Sequence, residues 1–171
     1  KSIRDYAQPV YLTILLHADR NWALSSGVAN GGIPQDISRA WLHIQAVFRA
    51  AGADNVAWVW APADPAHDTA YTPPASTINA VLLSMISYPH TQWVDPTKTL
   101  QTVIKQHPNK PIIVEVSAAG DENQKALWLS KVGNAVNSLT DVYALVYHEG
   151  SPALNPKPSE NIQWSMLSDK N

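Results

Sequence analysis

The chain of 171 residues contains no cysteine. Disulfides, zinc–thiolate sites, iron–sulfur clusters and thiol catalysis are therefore excluded. Charge is scarce: only 15% of residues are Asp, Glu, Lys or Arg, and the formal net charge is −2. A protein so short of positive charge lacks the electrostatic footprint of a nucleic-acid binder. No apolar run approaches the roughly 18 residues that would span a bilayer. Residues Lys1 to Asp5 do not have the character of a signal peptide. Phenylalanine is nearly absent, with a single copy against 7 Trp and 6 Tyr. The aromatic complement thus carries polar edges, which suits either wet binding surfaces or a Trp-rich core. Proline is abundant at 13 residues. High proline with low charge leads us to expect an exported protein, extracellular or periplasmic.

The 45% apolar content and the length suit one globular domain with a real core. We read a single domain over 1–171. Short apolar runs alternate with helical patterns. Val10-Tyr-Leu-Thr-Ile-Leu-Leu16, Asn55–Trp60, Ile78–Tyr88, Pro111–Val116 and Val142–Tyr147 read as buried strands. Pro34 opens a helix whose Ile37, Ala40, Trp41, Ile44, Val47, Phe48 and Ala51 recur at helical spacing, with Gly52 as its C′ residue. Further helices are expected over Lys98–Gln106 and Glu122–Leu139, the latter with Ala126, Leu129, Val132 and Val136 on one face. A last short apolar piece covers Ile162–Leu167. Alternation of this kind predicts an α/β protein with parallel strands and right-handed crossovers, either a doubly wound sheet or a barrel. No Gly-rich phosphate loop follows any strand, which disfavours a nucleotide fold.

Chemistry in parallel α/β folds gathers at the C-terminal ends of the strands. The residues there are His17 and Asp19, Trp60 with Asp64, His67 and Asp68 beyond, Tyr88 and His90, Glu115, and His148 with Glu149. Glu115 stands out, because a carboxylate inside Ile-Ile-Val-Glu-Val costs several kcal/mol to bury without partners. It either points into a functional mouth or turns outward to a basic residue on a helix. The His-and-acid pairs lack metal-ligand spacing, so no metal and no cofactor is expected. Serine catalysis is not supported, since no G-x-S-x-G elbow is present. Trp22, Trp60, Trp93 and Trp164 follow or close strands, where indole rings could stack on the apolar C–H faces of sugars or simply pack the core.

Several of these strings resemble one family. Pro9-Val-Tyr-Leu-Thr-Ile-Leu-Leu-His17 with Asn21-Trp22 is similar to the fourth strand of the (β/α)8 barrel of glycoside hydrolase family 26. Ile37 through Pro62, with Trp41, Phe48, Gly52 and Val-Ala-Trp-Val-Trp60, resembles that family's next helix and strand almost residue for residue. Ser87-Tyr88, Lys110-Pro-Ile-Ile-Val-Glu115, Tyr143–His148 and Gln163-Trp164 resemble strands six, seven and eight and the tail. The resemblance implies a partial TIM-barrel-like fold, strands four to eight with their helices, the first three strands having no counterpart. A protein partner or a missing N-terminal segment is then expected to cover the open barrel.

The family cleaves β-linked glycans, mostly mannans, with retention, using two carboxyl groups about 5–5.5 Å apart. By resemblance Glu115 takes the nucleophile position, and His17, Trp22, Trp60, Tyr88, Trp93 and Trp164 are substrate-binding candidates. The acid/base glutamate that follows the histidine in the family is replaced by Ala18. An arginine is replaced by Ile14, and two asparagines by Arg20 and Ala63. The expectation is a degenerate, mannanase-like pseudoenzyme that binds a β-linked polysaccharide or serves as an assembly subunit. The alternative is an active retaining β-glycanase with Asp19 or Glu149 as a relocated acid.

Overall fold

The computed structural model describes residues 2–6, 8–20, 32–66, 70–88 and 93–148. Within them five strands and three helices alternate: β1 (Val10–Thr13), α1 (Pro34–Ala50), β2 (Val56–Trp60), β3 (Ala80–Ser87), α2 (Pro96–Gln106), β4 (Ile112–Ala118), α3 (Glu122–Ser138) and β5 (Val142–Tyr147). The strands form one sheet in the order β1-β2-β3-β4-β5, every pair parallel. The sheet curls into a half-barrel. Its first and last strands approach each other closely enough for the Tyr11 and Tyr143 rings to meet at 6.2 Å. Among the described residues no helix is long and apolar enough to cross a membrane.

Local chemistry sets the boundaries. Asp95 caps α2 by accepting from the Lys98 amide, and Pro96 occupies the first helical position, so the helix begins two residues before the expected Lys98. Asp121 caps α3 through the amides of Asn123 and Gln124. Gly52 follows α1 at φ 71°, the left-handed position that a helix C′ residue takes. β1 stops at Thr13 rather than Leu16, because Leu15 and His17 both sit at φ 54° and break the ladder. β3 begins at Ala80 rather than Ile78, since residues Ala75–Thr77 form a 3₁₀ turn.

The core lies between the sheet and the helices. Val81, Leu83 and Met85 of β3 and Ile112, Val114 and Val116 of β4 join Leu100 and Val103 of α2 and Trp128 and Val132 of α3. Ile37 and Trp41 of α1 close the same cluster over Trp60. Two expected helix faces are turned only slightly, with Ile37, Trp41 and Val132 buried as expected and Leu129 and Val136 packed against the core. In α1 the buried residues are Ile37, Trp41 and Gln45, and Val47 is exposed. Gln45 is tolerated inside because its side-chain amide donates to the Thr77 carbonyl at 2.9 Å, beside the bond from the Trp41 indole to Thr77 Oγ1. In α3 the buried set is Lys125, Trp128, Val132 and Ala135, and Ala126 faces outward. Trp128, the largest side chain of that helix, dictates the rotation, since burying it removes more apolar surface than burying Ala126.

The opposite, concave face of the sheet alternates with this core. Leu82, Ser84 and Ile86 of β3 and Ile113 and Glu115 of β4 are half-buried there. Lower down, Tyr11, Val59, Leu82, Ile113 and Val146 line an apolar hollow of about 320 Å³. Among the described residues, helices cover one face of the sheet only.

Candidate functional site

The concave face gathers polar residues from several strands, with Glu115 midway along β4, which runs on to Ala118 rather than ending at Val116. Glu115 and Ser84 are register partners on adjacent strands, so their side chains emerge on the same face. Ser84 Oγ donates to Glu115 Oε2 at 2.8 Å. Glu115 Oε1 lies 3.4 Å from His148 Nδ1, just past the end of β5. The His148 amide donates to the Val116 carbonyl, and Ser117 Oγ donates to the His148 carbonyl at 2.9 Å, which fixes the backbone that carries the imidazole. Glu115 therefore turns into the concave face, and the alternative of an outward salt bridge is excluded. Its side chain is 26% exposed, held by a hydroxyl and an imidazole yet reachable from solvent.

His17, four residues past the end of β1, lies within the field of Glu115 with both ring nitrogens buried, and its amide donates to Ala61 O at 2.9 Å. Burial pushes its pKa below the ordinary 6.5, against the pull of the Asp19 and Glu115 carboxylates. The unfolded chain therefore takes up a proton near pH 6.5 that the folded chain refuses. Stability falls as pH drops through that value, towards the lower folded-state pKa. Urea unfolding at about pH 7.5 and about pH 5.5 is expected to show a smaller acid loss in His17→Gln than in the wild type. Equal losses in the two proteins would refute this assignment.

Asp19 is placed differently from a catalytic acid. Its Oδ1 accepts from the Ala63 amide at 2.7 Å and its Oδ2 from the Asp64 amide at 3.2 Å. Only 6% of the side chain is exposed, and Arg20 approaches it at 3.8 Å. Asp19 thus fastens the loop after β2 to the turn after β1 and works as an acceptor. Ala18 is wholly buried within the core cluster.

The aromatic candidates separate. Trp60 is 0% exposed and packs edge-on against Trp41, with ring centroids 5.7 Å apart. A sugar cannot reach it, so its assignment as a substrate-binding residue is corrected to a core residue. Tyr88 is half-buried at the end of β3, where burial raises its pKa above 10. Trp93 donates through its indole to the Tyr88 carbonyl at 3.0 Å and stands edge-to-face with Trp128, on the helical side. Trp22, Trp164, His67, Asp68, His90 and Glu149 lie outside the described residues.

Ser84 escaped the sequence reading. Its signal was present: a hydroxyl within Ala-Val-Leu-Leu-Ser-Met-Ile, as unusual there as Glu115 is in its own strand. His148 was paired with Glu149 in sequence, but the described partner of its ring is Glu115. Among the described residues no second carboxyl group hydrogen-bonds to Glu115, and no cluster of three or more His, Asp or Glu could hold a metal ion. No protein-family model matches the sequence, and no curated protein matches it.

Proposed function

We propose that this chain is a carbohydrate-binding domain on a family 26 glycoside hydrolase scaffold, its barrel represented by strands four to eight and its hydrolytic site degenerate. The observation that carries the reading is the pair formed by Glu115 and Ala18. Glu115 lies midway along β4 on the concave face, held by a hydroxyl and an imidazole, and the resemblance gives it the nucleophile's role. Ala18 occupies the acid/base position of the resemblance and is buried in the core. A methyl group cannot transfer a proton, and Asp19 beside it is bound to two backbone amides. General-acid assistance is worth about 10²–10⁴ in rate, so a poor leaving group such as a sugar hydroxyl would scarcely depart. Glu115, His148 and Tyr88 still offer a carboxyl acceptor, a partly exposed imidazole and an aromatic ring to a β-linked glycan.

Affinity electrophoresis through gels holding soluble β-1,4-mannan or mixed-linkage β-glucan tests this function. Retardation that weakens in Tyr88→Ala is expected. Unchanged mobility in both polysaccharides would contradict glycan binding at the mouth.

A further inference from the structure

On the helical side, away from the concave face that carries Glu115, a groove of about 490 Å³ runs between the first turn of α2 and one face of α3. That volume falls within the range of small-molecule sites, about 300–1,000 Å³. Trp93 forms its aromatic wall, backed by the core residue Trp128, which is 4% exposed, 5.5 Å away and nearly perpendicular at 81°. Both indoles are fixed before any ligand arrives. Trp93 donates to the Tyr88 carbonyl and Trp128 to the Val94 carbonyl, each at 3.0 Å. Leu127, 61% exposed, extends the apolar wall on α3.

Val94 and Pro96 add to the apolar lining, and the remaining described residues of the groove are polar. Gln124, Lys131 and Asn134 fall on the groove face of α3, and among the described residues their side chains make no hydrogen bond. Asp95 faces them from the start of α2, with one carboxylate oxygen accepting from the Lys98 amide. One ammonium and one carboxylate leave the groove without net charge. An anion would meet Asp95, and a purely apolar ligand would strip water from two amides and an ammonium without replacing it. Two amides, one donor cation and one acceptor anion, set opposite the rigid Trp93 indole and the exposed Leu127, match a ligand with many hydroxyls, no charge and one apolar face. We infer that this groove is a binding site for a neutral saccharide, separate from the mouth at Glu115. The ligand class follows from the groove's own charge and lining, independently of Glu115.

The test titrates the ¹⁵N-labelled chain with cellohexaose and mannohexaose, and with inorganic phosphate as an anionic probe, following the Trp93 and Trp128 indole N–H resonances. At least one hexasaccharide is expected to shift both resonances, in the wild type and equally in Glu115→Gln. The exposed double variant Gln124→Ala/Asn134→Ala is expected to bind about tenfold more weakly, as the loss of two hydrogen bonds implies. Trp93→Ala is expected to abolish the Trp128 shift. A hexasaccharide that binds with no effect on these indoles, and is lost in Tyr88→Ala, would overturn the groove and leave the mouth reading intact. Shifts caused by phosphate and removed by Lys131→Ala would make it an anion site and overturn the proposal. Absence of any saccharide binding overturns both proposals.

Discussion

Replacing Trp60 by alanine is expected to lower the free energy of unfolding by about 3–5 kcal/mol, the usual cost of deleting a buried tryptophan. The side chain is fully enclosed, packs edge-on against Trp41, and belongs to the cluster that fixes α1 on the sheet. Trp41 in turn meets Trp58 at 6.1 Å, and Phe48 meets Trp58 at 5.2 Å, so the void would loosen a chain of rings rather than one contact. Neighbouring β2 and α1 positions could relax into the cavity only by giving up the Trp41 bond to Thr77, which also anchors Gln45. Urea unfolding followed by far-ultraviolet circular dichroism measures the loss without relying on the deleted fluorophore. A Trp60 on a solvent-facing sugar platform would instead cost within about 0.5 kcal/mol. A cost that small would contradict the placement of this residue.

Ala18→Glu, the substitution that would restore the acid/base residue of the family 26 pattern, is expected to destabilise rather than to activate. The Ala18 side chain sits at 0% exposure among core residues that include Ile37 and Trp41. A carboxyl group at that point loses its water and finds apolar neighbours, a cost of several kcal/mol. For a chain of this size each kcal/mol lowers the melting temperature by about 2–4 °C. A fall of about 10 °C is therefore expected, with no gain in hydrolysis of β-mannan. Differential scanning calorimetry and a reducing-sugar assay on the same preparation check both halves. A variant that melts with the wild type and cleaves mannan would show that position 18 can face the mouth.

Much of the fold was legible because local signals agreed. Val142–Tyr147 was read with its observed bounds, and Glu122 was read as the start of α3, where Asp121 supplies a side-chain cap. The alternation of strands and helices led to the parallel sheet, and Pro34 and Gly52 punctuated α1 where they were expected to. The errors came from non-local causes. The apolar run to Leu16 reads as strand, but left-handed residues at Leu15 and His17 turn the chain, and nothing in Leu or His demands that conformation. Val47 lost its place inside to Gln45, because the Thr77 carbonyl, 32 residues away, was there to receive the amide. Trp60 was misassigned because β2 is apolar on both faces, so the pattern alone could not tell which side a given ring takes. Glu115 stood out in the sequence as a carboxylate within an apolar run, although β4 proved to continue past it to Ala118. The Ser84 and His148 contacts depend on the register of β3, β4 and β5, which no sequence spacing encodes.

The central claim is that, among the described residues, no second carboxyl group stands by Glu115 to complete a hydrolytic pair. Its most direct test is the turnover of β-1,4-mannan and mixed-linkage β-glucan by the wild type and Glu115→Gln, with the products counted as reducing ends. The account predicts rates near background for both proteins, indistinguishable from each other. Turnover at the ordinary enzymic scale of about 1–10³ per second, abolished by Glu115→Gln, would contradict it.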